Sequence, residues 1–404
     1  MSSNFQRREF LRLAGLGLGL GVSGNFALGA DKSKTLSVAR EHTNYHAFGE
    51  MPLVRASQDR IVKETVGLRP FRESGPNLTH EKIGEKSVFH NYGHGGSGWS
   101  LSWGTSTQVT QEALSTGEEE FAVIGCGAVG LTSAIILQRA GKKVSIYSKD
   151  RHPNITSSVA TGVWSPDSRI CLKEYATEEF GAWWNKTCRT SFKMYQTFLG
   201  LPGSPIEWTD SYAVSNKPWD AEREKDPNDT QPEYGHFNDY VKDLTPQFVE
   251  LKKSENPFSE PYAKKGSRMI FNISAYHQTL LNEFTSLGGR LYHREFTSPS
   301  QFSELPAPVI INATGLGSKT LFNDKQMRPV RGQLTVLVPQ PELHYGFANE
   351  EAYVIPRRDG VVLGTISNGI IDSTDLNVNP QQSYDAVSAI AKSMTASKIA
   401  KSLA

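Results

Sequence analysis

Cysteine is scarce in this chain, with Cys126, Cys171 and Cys188 the only three in 404 residues. That number excludes a disulfide framework, and because Cys126 sits inside a glycine motif, Cys171–Cys188 is the single pairing left open. Long apolar runs are missing too: no segment approaches the roughly 20 residues that a membrane-crossing helix requires. An excess of either charge is also absent, since 43 Lys plus Arg stand against 42 Asp plus Glu. The chain therefore carries no field to attract nucleic acid or an acidic membrane surface. There are no internal repeats, and no spacing of ligands suggests a metal. What remains, 38% hydrophobic and 21% charged residues, is the composition of an ordinary globular protein.

The amino end has a character of its own. In "QRREFLRLAGLGLGLGVSGNFALGA", Arg7 and Arg8 precede a short Gly/Leu run that ends in small residues, the outline of a twin-arginine export signal. The run from Leu13 to Val22 is too short to span a bilayer. We expect a signal over 1–30, the twin-arginine machinery as a partner, and an exported, periplasmic protein. Residues 31–57 lack periodicity and are expected to form a linker or arm, with regular structure starting near Gln58.

From Phe121 the pattern becomes strand, glycine turn, helix ("LTSAIILQRAG") and strand ("KVSIY"), a βαβ unit. The turn is "GCGAVG", Gly125 to Gly130, in the context that gives this motif meaning. Gly125 allows the tight turn, Gly127 lets the backbone approach a pyrophosphate, and Gly130 lets helix pack on strand. Ala128 and Val129 begin the helix, whose free N–H groups suit a phosphate. An acid should follow the second strand to hold a ribose. Asp150 is the candidate, although "YSKDR" would equally set Ser148 or Lys149 there. Spacing alone does not choose between FAD and NAD. Before the unit, "TSTQVTQEAL" suggests a short helix; after it, "AYHQTLLNEFTSLGG" suggests an amphipathic one, "PVIINATG" a buried strand, and "RGQLTVLV", "EAYVIP" and "GVVLGTI" alternating strands.

Four further stretches resemble the D-amino-acid oxidase family of flavoproteins. They are "TSSVATGVWSP" (156–166), "INATGLGSKTLF" (311–322) with "RPVRGQLTVLV" behind it, "EAYVIPRRDGVVLGTI", and the pair "RIVKETVGLRPFR" and "FHNYGHGGSGWSLSWG". Together they cover most of residues 58 to 375 and are weakest between 176 and 265. The family carries that last pair at its C-terminal end, whereas here it precedes the βαβ unit. The resemblance thus implies an α/β fold: a Rossmann-type FAD-binding domain with an interleaved mixed-sheet α+β substrate domain, circularly permuted relative to the family. The expected division is 58–165 with 271–325 for FAD, and 166–270 with 326–404 for substrate. Joined ends are plausible because chain termini often lie close together.

The same resemblance implies roles for particular residues. Arg69 would bind the substrate carboxylate, as its planar guanidinium suits; Tyr353 would meet that carboxylate, and the Gly96 carbonyl would accept the substrate amine. FAD would be held by Gly125, Gly127, Ala128, Val129, Gly130, Asp150, Thr156, Ser157, Thr161, Gly162, Val163, Phe296, Thr314 and Gly315. The glycine loop would add Gly95, Gly98, Trp99 and Ser100, with Ser100 at the flavin's pyrimidine edge. The implied chemistry is hydride transfer from the Cα of a D-amino acid to flavin N5, giving an imino acid, then keto acid and ammonia, with dioxygen as acceptor and peroxide as product. His90 and His94 are read as structural. Ser165 and Asn349 stand where the family's pocket and lid residues differ, so an oxidase of D-aspartate, glycine or amines, a dehydrogenase, or a flavin-binding protein without turnover stays open. Arg357 and Arg358 are expected on a hairpin surface, and Arg169 within reach of the pocket.

Overall fold

A computed structural model describes residues 51–221, 231–366 and 369–403. The expected export signal and most of the expected arm lie outside them.

The chain runs through β1 (Ile61–Arg72), β2 (His80–Ile83), β3 (Lys86–His90) and α1 (Gly98–Leu114) before it reaches the βαβ unit. That unit is β4 (Glu120–Ile124), α2 (Ala128–Arg139) and β5 (Lys143–Ser148). Then follow α3 (Glu178–Gln196), β6 (Ile206–Ser215), β7 (Val249–Glu250), β8 (Tyr262–Phe271), α4 (Ile273–Ser286), β9 (Arg290–His293), β10 (Val309–Asn312) and α5 (Ser318–Leu321). The remainder is β11 (Met327–Leu337), β12 (Tyr345–Ala348), β13 (Ala352–Arg357), β14 (Gly360–Thr365), β15 (Ile370–Ile371), α6 (Pro380–Ala396) and α7 (Lys398–Leu403).

These strands make two sheets. The smaller runs β2-β3-β10-β4-β5-β9, parallel from β3 onward with β2 antiparallel at its edge. Its central strands read "FAVI" and "VIIN", apolar on both faces, because helices cover one side and a second apolar cluster the other. Leu131, Ile135 and Leu280 from α2 and α4 are fully buried against it, each contributing roughly 1.5–3 kcal/mol. The larger sheet runs β1-β11-β14-β13-β12-β6-β8-β7, with β15 also on β11. One of its faces is closed by α6 through Ile390 and Met394.

Three expectations change here. β1, expected with the FAD-binding layer, is the edge strand of the larger sheet, in an antiparallel ladder from Ile61 opposite Leu337 to Arg72 opposite Met327. Twelve residues long, it outreaches the strands of the small parallel layer and matches β11 instead. The helix expected at "TSTQVTQEAL" begins at Gly98, inside the glycine-rich stretch, because "WSLSW" buries its side chains under the small sheet. Among the described residues regular structure starts at Gln58, yet Met51 and Val54 are already buried in the cluster that holds Met394 and Ile399. Tyr345 joins the start and the last helices of the described residues there: its hydroxyl donates to the Pro52 carbonyl at 2.7 Å and lies 3.8 Å from the Met394 sulfur.

Candidate functional site

A single cavity of about 980 Å³ runs from the C-terminal ends of β4 and β5 to the open face of the larger sheet. At its first end the glycine turn behaves as its spacing requires. Gly125 has φ 110°, and a Cβ on Gly130 would lie 2.0 Å from the Gly125 carbonyl oxygen. Only hydrogen fits there, so α2 can begin against the strand. The α2 start has no capping side chain of its own; instead the Ala128 N–H donates to Ser157 Oγ at 3.0 Å. The α1 start opens on the same cavity, with Gly98, Trp99 and Ser100 in its wall. Two helix N-termini thus bring positive dipole ends and spare N–H groups to one space.

The turn after β5 is stitched to the larger sheet. Phe271 N–H donates to the Gly162 carbonyl at 2.7 Å, Trp164 N–H donates to the Met269 carbonyl at 3.0 Å, and Val163 bridges Ile270. Trp99 Nε1–H donates to the Ser157 carbonyl at 2.8 Å, and Ser100 Oγ accepts from Ser165 N–H at 2.9 Å. The glycine loop is fixed in the same manner: Gly95 N–H donates to the Pro70 carbonyl and Gly96 N–H to the Ser168 carbonyl, both at 2.9 Å. Since Pro70 follows Arg69, this bond locks the loop to the strand that carries the arginine.

The structure therefore places Gly95, Gly96, Gly98, Trp99, Ser100, Gly125, Gly127, Ala128, Val129, Thr156, Ser157, Thr161, Gly162, Val163, Thr314 and Gly315 in one wall, together with Arg69 and Tyr353. Gly130 lies behind the wall, where it serves packing. Ser148, Lys149 and Asp150 all line the β5 end, and Glu295 and Phe296 join them from the loop after β9. Glu295, which pairs with Lys149 at 3.1 Å, is a second carboxylate that the motif spacing did not suggest.

Arg69 and Tyr353 meet over a floor of glycines. A Cβ on Gly332 would stand 2.3 Å from Arg69 Nη1, and one on Gly364 would stand 2.3 Å from the Tyr353 hydroxyl. Arg69 Nη1 is buried without a hydrogen-bond partner. Burial first, and then the charge of Arg169, lower the Arg69 pKa, while the phenols of Tyr353 and Tyr234 oppose the shift. A buried guanidinium with an unmet donor is the arrangement that a carboxylate satisfies. Arg169 also lines the cavity, lies 5.7 Å from the Tyr234 ring centroid, and has φ 52°.

His94 is buried, hydrogen-bonded to Thr105 Oγ1 at 3.0 Å and pushed down to about 3 by burial. His90 lies between Glu81 and Asn312. Asn349 is tied into a turn, accepting from the backbone of Glu351 and Ala352 and donating to Ser393, and does not line the cavity. Arg357 corrects the surface expectation: its side chain is 8% exposed, paired with Asp359 and bonded to the Ala160 carbonyl. It braces the turn that holds Thr161 and Gly162. Arg358 is on the surface, paired with Glu207. Cys171 and Cys188 are free buried thiols, so the pairing left open is not formed.

The sequence reading missed Gly332 and Gly364, whose roles appear only once side chains from other strands lie over them. It also missed Arg268 and Ser211, which enter the cavity from β8 and β6 in the stretch with the weakest motifs.

A family model described as FAD dependent oxidoreductase, DAO, matches residues 120–402. The D-amino-acid oxidase of Dictyostelium discoideum is 31% identical over 265 residues, 64% of this chain and 67% of that protein. The D-amino acid oxidase of Dugesia ryukyuensis is 29% identical over 274 residues, 65% of this chain and 73% of that one. Among solved structures, a glycine oxidase from Bacillus cereus aligns with TM-score 0.46 and 16% identity, over 67% of this chain and 77% of that chain.

Proposed function

Because this chain belongs to the DAO family of FAD-dependent oxidoreductases, we propose that it catalyses the oxidative deamination of D-amino acids, with dioxygen as the final electron acceptor. The observation that carries this reading is the buried Arg69 with its unmet donor, beside Tyr353 and joined through Pro70 to the glycine loop.

The residues present fit FAD. Side chains are excluded by steric contact at Gly125 and Gly130, two helix N-termini face the cavity, and carboxylates stand at its β5 end. Gly127, Ala128, Val129 and Ser157 would hold the pyrophosphate, Asp150 or Glu295 the ribose, Phe296 the adenine end, and Gly95, Gly98, Trp99, Ser100, Thr161, Gly162, Val163, Thr314 and Gly315 the flavin end. When bound, FAD supplies a two-electron acceptor that no side chain offers.

The chain's own residues orient the substrate. Arg69 takes the α-carboxylate in a two-pronged bond, Tyr353 adds a hydroxyl to it, and the Gly96 carbonyl accepts from the amine. Three fixed points on a tetrahedral carbon select one enantiomer and aim its hydrogen in one direction. Acid–base catalysis is not required of the histidines: His94 is neutral and enclosed, and His90 is bonded on both ring nitrogens.

Two features of the whole chain belong to the same proposal. The protein is exported by the twin-arginine route, and its fold is a circular permutation of the family's. Support for the permutation comes from the family match starting at residue 120, while β1 and β3 before it pair into the same two sheets, and from Pro52 and Met394 both lying at Tyr345.

The activity is tested by mixing the FAD-loaded protein with a panel of D-amino acids, with and without oxygen, and recording the flavin spectrum. Bleaching by D- but not L-enantiomers without oxygen, reversed by air, is expected. A flavin band untouched by every D-amino acid overturns the reading.

A further inference from the structure

Two imidazoles meet behind the wall of the cavity. His152, in the turn after β5, and His277, on α4, stack with ring centroids 4.9 Å apart and planes 22° from parallel. His277 is 2% exposed, and its Nε2 lies 3.3 Å from the Cys126 carbonyl oxygen, inside the glycine turn. A carbonyl only accepts, so Nε2 carries the proton. His152 Nδ1 lies 2.8 Å from Ser158 Oγ. The pair thus fastens the turn at 152–158 to the glycine turn, and neither ring lines the cavity itself.

What the fastening holds is part of the wall for FAD. Ser157, next to Ser158, accepts from the Ala128 N–H at the start of α2 and, through its carbonyl, from Trp99 Nε1–H at the start of α1. The segment that carries it lies at the surface, with Arg151, Pro153, Asn154 and Thr156 exposed. Two of its backbone bonds, Asn154 N–H to the Arg151 carbonyl and Ser158 N–H to the Ile155 carbonyl, stay within the segment. Such a segment opens at low cost, whereas α4 is anchored by the fully buried Tyr276, Leu280 and Phe284. Parting the two rings moves the turn and leaves the helix in place.

The surroundings make the pair intolerant of protons. Lys63 from β1 and Arg357 from the hairpin of β13 and β14 face His152, and the carboxylate beside them, Asp359, is taken by Arg357 and Ser274. His277 faces the Cys126 carbonyl and His152. The Cys126 thiol, pushed up to about 11 by burial, is neutral at physiological and mildly acid pH. Burial holds both imidazoles below the ordinary value of 6.5; Lys63 and Arg357 add to the effect at His152, and His152 adds to it at His277, while Asp359 and the Cys126 carbonyl oppose it. The closed pair is favoured above pH 6.5 and loses ground as pH falls below it. Two imidazolium rings in one stack repel, and separation relieves them. FAD affinity then falls with the fraction of protein that stays closed.

We propose that His152 and His277 are positioning residues for FAD and form an acid-operated release: protonation parts the stack, the turn carrying Ser157 leaves α2, and FAD dissociates. The inference needs FAD binding alone and goes beyond the oxidation proposed above. FAD-loaded protein is diluted serially at pH 7.5 and pH 5.5, release is read from flavin fluorescence, and far-UV circular dichroism is recorded on the same samples. The native Kd is expected to rise about 10-fold at pH 5.5 with the helix signal kept, the factor for one proton taken up at a pKa of about 6.5 by the FAD-free protein only. His277→Gln, which keeps an N–H for the Cys126 carbonyl but does not titrate, and His152→Phe, which keeps a ring in the stack, each bring the ratio close to one. A native Kd equal at the two pH values overturns the inference, and so does a lower one at pH 5.5, which attraction between imidazolium and pyrophosphate would give. A rise that persists in either variant, or that comes with loss of the helix signal, overturns it as well. No D-amino acid enters the measurement, so its outcome is separate from that of the proposed oxidation.

Discussion

The guanidinium of Arg69 lies against the backbone of Gly332, so closely that a Cβ at that glycine would stand 2.3 Å from Nη1. Arg69 comes from β1 and Gly332 from β11, adjacent strands separated by more than 250 positions in the chain. The contact joins an N-terminal segment to the body of the family fold at the proposed site of chemistry.

Gly332→Ala is a direct check on that contact. The obstructed atom is the far end of a flexible side chain, so folding is expected to survive with only a small change in Tm. Arg69 must move aside, and misplacement on the order of 1 Å costs about 10²-fold in kcat/KM. Steady-state kinetics with a D-amino acid, beside a thermal melt, would show it; unchanged kinetics would mean that Arg69 does not position the substrate.

Arg69→Ala removes the carboxylate partner itself. Truncating one member of a buried charge pair costs about 2–5 kcal/mol, a loss in substrate affinity of roughly 30- to 5,000-fold. FAD content, measured by the ratio of flavin to protein absorbance, should not change, since the dinucleotide contacts lie on α2, β5 and the glycine loop. Arg69→Lys restores little, because one ammonium cannot form the planar two-pronged bond.

Acid sensitivity is expected from His94. Its folded pKa, about 3, lies below the unfolded value of 6.5. The folded state therefore resists protonation, and the associated stability is complete above pH 6.5 and is lost as pH falls toward 3. At pH 5 the loss is about 2 kcal/mol relative to pH 8, from 1.36 kcal/mol per pKa unit. His94→Gln, which keeps a polar partner for Thr105, should flatten this slope. Denaturant midpoints for the two proteins at pH 5 and pH 8 measure it, and parallel slopes would count against the assignment.

A re-ordered chain tests the permutation. Starting at Phe121 and joining Ala404 to Gln58, it should fold and take up FAD, because the segments flanking that joint, Met51–Val54 and Met394–Ile399, share one cluster with Tyr345. A re-ordered protein that stays soluble but binds no FAD would contradict the proposal.

Much of the dinucleotide end was legible from residue order. The motif Gly125 to Gly130 acts within a few positions of itself, and turns and helix starts are set by local sterics and unpaired N–H groups. Arg69, Gly96 and Tyr353 were found through resemblance to a family, since a strand arginine or tyrosine carries no local mark of function. The position of β1 was not legible: whether a twelve-residue strand joins one sheet or the other depends on a partner 260 residues away. Arg357 was misread for a related reason. Its burial comes from the turn at Ala160 and Gly162, which folds over it from elsewhere.

What the sequence determined by itself is the chemistry that short-range geometry encodes: a glycine turn for a dinucleotide, a charge balance that excludes polyanions, and too few cysteines for a disulfide framework. The tertiary structure alone decided which distant side chains share the cavity. It put Arg69 over Gly332 and Tyr353 over Gly364, and it brought Arg268 of β8 to the cavity lining. Sheet register made those choices, because the face a strand residue occupies is defined only against its neighbours across the sheet.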